Sequence, residues 1–190
     1  MLGAEQHGHM EAVGYDLYCK MLNRAVAMYK GLAIPSEFET SIDIPIDAYI
    51  PRNYIEDEIA RLNAYKKIAA LENDEEKDDL IDELTDRYGD LPKAVYSLLE
   101  VANIKAKAHN VYIKEIKGNL NELTCVLYEK AELDVSRFPE VLAKYNGKLK
   151  LVPDTSPKLV YRKGRAMDGS AEIMETISGI IDALGEIKNS

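Results

Sequence analysis

The chain has no G-x-x-x-x-G-K-[ST] loop of the kind that cradles a nucleoside triphosphate, so its own residues are expected to hydrolyse no ATP. Cysteine is scarce. Cys19 and Cys125 stand far apart and match no metal or redox spacing, which leaves reduced thiols of a cytoplasmic protein as the expectation. No apolar run approaches the ~20 residues a membrane helix needs, and no signal-peptide pattern precedes Gly3. Internal repeats and low-complexity tracts are absent. Basic charge is also short: 24 Lys and Arg face 33 Asp and Glu, for a net charge of −9.

The placement of that deficit carries more than its size. Residues 1–50 hold 3 basic and 7 acidic side chains, residues 51–110 hold 9 and 14, and residues 111–190 hold 12 and 12. The first 110 residues thus carry the whole imbalance and would be repelled by a phosphate backbone. A protein partner with a basic face, in the same or another polypeptide, suits them better. With 190 residues and 46% hydrophobic content, the chain can bury one core, or a core plus an appended helix.

Periodicity sets out the elements. Met10, Val13, Leu17, Met21, Ala25 and Met28 recur at spacings of 3 and 4, predicting an amphipathic helix over 10–30 that stops at Gly31. Pro35 and Ser36 mark a linker over 32–40. Ser41 to Ala48 alternates as a half-buried strand, with Pro45 favouring a sheet edge or a bulge. A helix over 54–71 is predicted to bury Ile55, Ile59, Leu62, Tyr65 and Ala69. Asn73 and Glu76 have capping-box spacing for a second helix ending at Tyr88–Gly89. Pro92 opens a third, with Val95, Leu98, Leu99, Ala102 and Ala106 inward. Strands follow over 111–117 and 120–128, turned at Gly118-Asn119, then a short helix over 135–145. A hairpin over 148–152 and 158–163 and a closing helix over 171–187 complete an α+β fold: a small, mostly antiparallel sheet flanked by helices, with the N-terminal amphipathic helix appended.

Four groups of residues could carry chemistry or contacts. His7 and His9 form a His-x-His pair, but only His109 could add a ligand, so exposed histidines are the simpler reading over a metal site. Asp43 and Asp47 are paired carboxylates without a His partner or nucleophile elbow nearby, a poor basis for an enzyme. Asp79, Glu83 and Asp86, at i, i+4 and i+7, line one side of the second helix, opposite Leu80, Ile81 and Leu84. Either a solvated face or a partner surface fits them. The stretch 144–165 is basic, with Lys148, Lys150, Arg162 and Lys163 beside Tyr145 and Tyr161. It could hold nucleic acid by phosphate contact and stacking, or merely protect a sheet edge with lysine.

Two blocks bring a family into view. Leu2 to Leu22, LGAEQHGHMEAVGYDLYCKML, resembles the motif after the motor core of transcription-repair coupling factors and, more loosely, of RecG helicases; the family usually has Ser or Thr where His7 stands. ETSIDIPIDAYIPRNYIEDEIARLNAYKKIAAL (39–71) and DELTDRYGDLP (82–92) resemble the C-terminal regulatory domain peculiar to transcription-repair coupling factors. The strong match covers 2–92 with a gap around 32–36; from Val111 onward only the order of elements fits. The resemblance implies that the chain is the C-terminal piece of an ATP-driven DNA translocase, without its engine. It divides the chain into a motor-motif tail over 1–31, a linker over 32–40 and a regulatory domain over 41–190. Gly3 and Gln6 would couple hydrolysis to movement in the parent, whose motor would use ATP and Mg, with no cofactor in this piece. Glu83 and Asp86, in Glu-Leu-Thr-Asp-Arg-Tyr-Gly, would contact arginines of a UvrB-like module of the same polypeptide. The parent's partners would be UvrA, RNA polymerase and DNA, with no membrane. The implied role is autoinhibition: masking the UvrA-binding surface in the resting state.

Overall fold

The computed structural model describes residues 38–189. The expected helix over 10–30, most of the linker, and Gly3, Gln6, His7, His9 and Cys19 lie outside them. The chain divides into two compact units, whose described parts are Asp47–Asn103 and, for the other, 38–46 with 104–189. Among the described residues no helix is long and apolar enough to cross a membrane.

The first unit is helical. Tyr54 and Ile55 turn back onto the Pro51 carbonyl, and helix α1 (Glu58–Ala69) begins only after Asp57, whose carboxylate accepts the Ala60 N–H at 2.6 Å. The late start corrects the predicted span of 54–71 and, with it, the predicted stripe. Ala64 and Ile68 are buried, whereas Ile59 is 71% exposed and Leu62 37%. At 100° per residue Ile59 stands about 180° round the helix from Ile68, so the two cannot face one core. Ala60, Ala64, Ile68 and Leu71 form the competing stripe, and Ile68 with Leu71 gives it the bulk.

Helix α2 (Asp74–Tyr88) starts as the capping spacing predicted on one side only. Asn73 Oδ1 accepts the Glu76 N–H at 2.9 Å, but the Glu76 carboxylate accepts from the Glu72 N–H at 2.9 Å and from the Asn73 side-chain amide at 3.2 Å rather than from the Asn73 backbone N–H. Gly89, at φ 86°, ends the helix with its N–H on the Thr85 carbonyl. Helix α3 (Lys93–Asn110) is opened by the Pro92 carbonyl, which accepts from Val95 and Tyr96. Val95, Leu98, Leu99 and Ala102 close a core with Ile50, Ile55, Leu80 and Leu84. Ala106 is only partly buried; beyond Asn103 the buried residues of the helix are Ile104 and Ala108, which belong to the core of the second unit. Lys77 bridges α2 to α3 through Glu100 at 2.8 Å, and buried Asn103 donates to Asp74 at 2.7 Å.

The second unit is a five-stranded sheet in the order β1-β2-β3-β5-β4, antiparallel except for β1 with β2. Strand β1 (Ser41–Asp43) is an edge strand shorter than predicted, since Pro45 lacks an N–H and Ile46 turns back onto the Ile44 carbonyl at 2.9 Å. Strands β2 (Ile113–Gly118) and β3 (Glu122–Leu127) form a hairpin with Lys114 as the extra residue of a bulge. A 3₁₀ turn (Val135–Arg137) leads into α4 (Phe138–Ala143). Strands β4 (Leu149–Val152) and β5 (Lys158–Arg162) form the second hairpin. Helix α5 (Gly169–Gly185) buries Ile173, Ile177, Ile180, Ile181 and Leu184, as its spacing predicted, in one core with Ile116, Leu123, Cys125 and Leu159. The α+β class and the mostly antiparallel sheet agree with the sequence-based expectation.

Candidate interaction surfaces

Helix α2 is built to hold a charged side away from its core. Leu80 and Leu84 are its buried residues, and Tyr54 braces its last turn by donating to the Leu84 and Gly89 carbonyls at 3.2 and 3.1 Å. The ring of Tyr54 meets Tyr88 edge-on, with centroids 5.9 Å apart. Burial raises the Tyr54 phenol above its usual range, with the neighbouring Tyr88 and Asp90 adding to it, so it stays a donor. The segment that contains Glu83 to Gly89 is therefore fixed in place before any partner arrives.

On the opposite side Asp79, Glu83 and Asp86 are exposed, as the wheel predicted. Their surroundings differ. Glu83 is held by Lys67 of α1, with Nζ at 2.5 and 2.6 Å from its two carboxylate oxygens. Asp79 and Asp86 have no hydrogen bond or ion pair to any described residue. Asp82 lies between them, also exposed and also without a partner among the described residues, and the sequence reading did not include it. Counting from Glu75, the steps of 4, 3 and 4 to Asp79, Asp82 and Asp86 keep all four within about 60° of the helix circumference. That spacing is legible in the sequence alone.

The basic hairpin is less available than its composition suggests. Arg162 pairs with Glu122, Lys163 with Glu172, Lys158 with Asp154 at 3.0 Å, and Lys144 with Glu186 at 2.5 Å. Hydrogen bonds from Lys163 and from the Asp168 N–H hold the Glu172 carboxyl below the usual carboxylate range. Lys148 and Lys150 are exposed at β4, the outer strand of the sheet, and have no partner among the described residues. The expected outward aromatic rings are not there. Tyr161 is buried and Tyr145 half-buried, packed edge to face 6.0 Å apart on the core side. Residue alternation in β5 points Leu159 and Tyr161 inward together, so Tyr161 cannot stack a base.

His109 sits with its ring 4.5 Å from Phe38 and its Nδ1 3.5 Å from the Thr40 hydroxyl. Burial lowers its basicity, and Lys105 lowers it further. Among the described residues no three His, Cys, Asp or Glu side chains gather to hold a metal. Cys125 is fully buried and its thiol is pushed up to about 12, so it carries no thiolate nucleophile. Asp43 and Asp47 are exposed carboxylates.

Comparison with known proteins agrees with this arrangement of elements. The TRCF domain model matches residues 44–138. The transcription-repair-coupling factor of Bacillus subtilis is 36% identical over 194 residues, spanning 99% of this chain. That of Staphylococcus aureus (strain USA300) is 41% identical over 119 residues, 62% of the chain, and that of Rickettsia bellii 30% over 165, 86% of the chain. The chain spans only 16%, 10% and 14% of these relatives' own lengths. A crystal structure of the C-terminal domain of a transcription-repair coupling factor superposes with a TM-score of 0.71 at 26% identity, covering 82% of this chain and 98% of that one. With half its length matched by the family model, the chain belongs to the TRCF-domain family of transcription-repair coupling factors.

Proposed function

We propose that this domain is the autoinhibitory clamp of an ATP-dependent DNA translocase that displaces stalled RNA polymerase and recruits nucleotide excision repair. In the resting parent it covers the UvrA-binding surface of the UvrB-like module, and engagement of polymerase releases it. Gly3 and Gln6 belong to the motor-coupling motif of that parent, where ATP and Mg act, and this chain contributes no ATPase chemistry. The observation that carries the reading is Asp86: an exposed carboxylate without a partner among the described residues, in a helix turn braced by Tyr54 and Gly89, within the family's Glu-Leu-x-Asp-Arg motif. Asp79 flanks it on the same contact surface. Glu83 supports the reading differently. An incoming arginine must share it with Lys67, so Asp86 contributes the larger part of the attraction. A closed state favoured by ~2 to 3 kcal/mol leaves the UvrA site open in a few per cent of molecules or fewer. The alternative, nucleic-acid binding by the hairpin over 144–165, has less support, because most of its cations are internally paired and its tyrosines face the core.

The test is UvrA binding by the full-length parent without polymerase, comparing wild type with Glu83→Ala/Asp86→Ala at two salt concentrations. Binding should rise severalfold in the variant at low salt, and the gain should shrink at high salt, where screening already weakens the native clamp. Equal UvrA affinity at low salt would return both carboxylates to a solvated helix face.

A further inference from the structure

Ile59 and Leu62 are large aliphatic side chains held in solvent, 71% and 37% exposed, on a helix whose buried side is fully served by Ala64 and Ile68. They are neighbours at i and i+3. Single exposed aliphatics are ordinary on a protein surface, but a pair with a charged border is the composition of a docking site: a small apolar centre and a polar rim. The border can be traced residue by residue. Ile59, Asn63 and Lys67 are four apart and form one file along α1. Lys67 bonds Glu83, and Glu83 is a helix neighbour of both Asp79 (i−4) and Asp86 (i+3). One strip of surface thus runs from the aliphatic pair, across the Lys67–Glu83 bridge, to three aspartates without a partner among the described residues. The bridge neutralises the middle and leaves the two ends chemically distinct.

We propose that Ile59 and Leu62 are the apolar anchor of the clamp, and that the arginine-bearing UvrB-like module occupies them through an aliphatic pocket beside its arginines. The inference rests on the clamp reading and adds what the carboxylates alone lack. Exposed ion pairs give orientation and encounter rate, whereas a desolvated aliphatic pair gives residence time. The occupant follows from charge: an acidic surface meeting this strip would face three aspartates that have no partner among the described residues, and a second copy docked strip to strip would bring the same negative charge.

The experiment measures binding of this 190-residue chain to the isolated UvrB-like module at low and high salt. Ile59→Ser/Leu62→Ser should weaken binding about tenfold at both salts, while Asp79→Asn/Asp86→Asn should weaken it mainly at low salt. Both sites are exposed, so the melting temperature of each variant should match wild type. In a Cys19→Ser background, Ile59→Cys should react rapidly with a maleimide in the free chain and slowly once the module is added. Wild-type affinity in the double serine variant would overturn the anchor and leave the clamp standing. Failure of the wild-type chain to bind the module would overturn both. Slow labelling in the free monomer would show the pair already covered by the chain's own residues and also overturn the anchor. Self-association lost in the serine variant would name a second copy as the occupant instead.

Discussion

The turn between β2 and β3 depends on the absence of one carbon atom. A Cβ on Gly118 would lie 2.3 Å from the Glu122 carbonyl oxygen and 2.9 Å from the Leu123 Cα, both backbone atoms. A side chain tip could swing aside; these atoms cannot. The turn is drawn tight by Asn119, whose N–H donates to Glu122 O at 2.9 Å and whose Oδ1 accepts from Asn121 and Glu122 at 2.8 and 3.2 Å. Gly118→Ala should therefore cost ~3 kcal/mol, the upper end of what overpacking costs. Gly89 makes a useful contrast, because at φ 86° it has nothing within 4 Å of its missing Cβ. Gly89→Ala should cost ~1 to 3 kcal/mol through backbone strain alone, because φ 86° with ψ −168° is a conformation that essentially only glycine adopts. Denaturant melts of the two variants give each cost, and a Gly118→Ala loss below ~1 kcal/mol would show that the hairpin relaxes around the added methyl.

The bulge in β2 is tied down by a charged clip. Lys114, the extra residue, meets the Glu129 carboxylate and donates to the Ser156 hydroxyl at 2.8 Å, and Ser156 in turn bonds Glu129 at 2.6 Å. The loop between β4 and β5 is thereby joined to the turn after β3. The Lys114 bond, then that from Ser156, pulls the Glu129 carboxyl from 4.5 down to about 2. A carboxylate depressed in the folded state supports the fold above its unfolded value of 4.5, and that support fades as pH falls toward 2. A carboxyl-carbon NMR titration should give Glu129 a midpoint near 2 in wild type and closer to 4.5 in Lys114→Met. A wild-type midpoint near 4.5 would mean the clip does not persist in solution. Such tertiary pairings are what residue patterns do not announce. Helix α5 was legible because five isoleucines and leucines recur on one face, and α2 because Asn73 and Gly89 mark both ends. The inward face of α1 was not legible: two interleaved apolar stripes compete there, and only the placement of the start at Asp57 chooses between them. The same failure hid Ile59 as a surface residue. Asp79, Glu83 and Asp86 could be placed on one side from their spacing, but the Lys67 bond to Glu83 joins residues 16 apart and leaves no periodic trace.

At the scale of the molecule the described residues form two hydrophobic cores, one among α1, α2 and the first part of α3, the other between the sheet and α5. Leu98 and Ile177 are each fully buried, one in each core. Leu98→Ala and Ile177→Ala should each cost about 2 to 5 kcal/mol. Hydrogen exchange should localise the damage: α1 and α2 amides lose more protection in the first variant, β3 and α5 amides in the second. Equal loss everywhere in both variants would mean that the two units open as one.

The order of residues in the two units has a consequence for synthesis. Strand β1, with residues 38–46, belongs to the sheet unit, yet the whole helical unit is translated before its partner β2 appears. A ribosome therefore releases the sheet's first edge early, can complete the helical core once Asn103 has emerged, and finishes the sheet core only after α5. For that interval Phe38, Ile42 and Ile44 have no sheet to cover them. The brevity of β1 and the proline that ends it leave little waiting strand for another nascent chain to pair with.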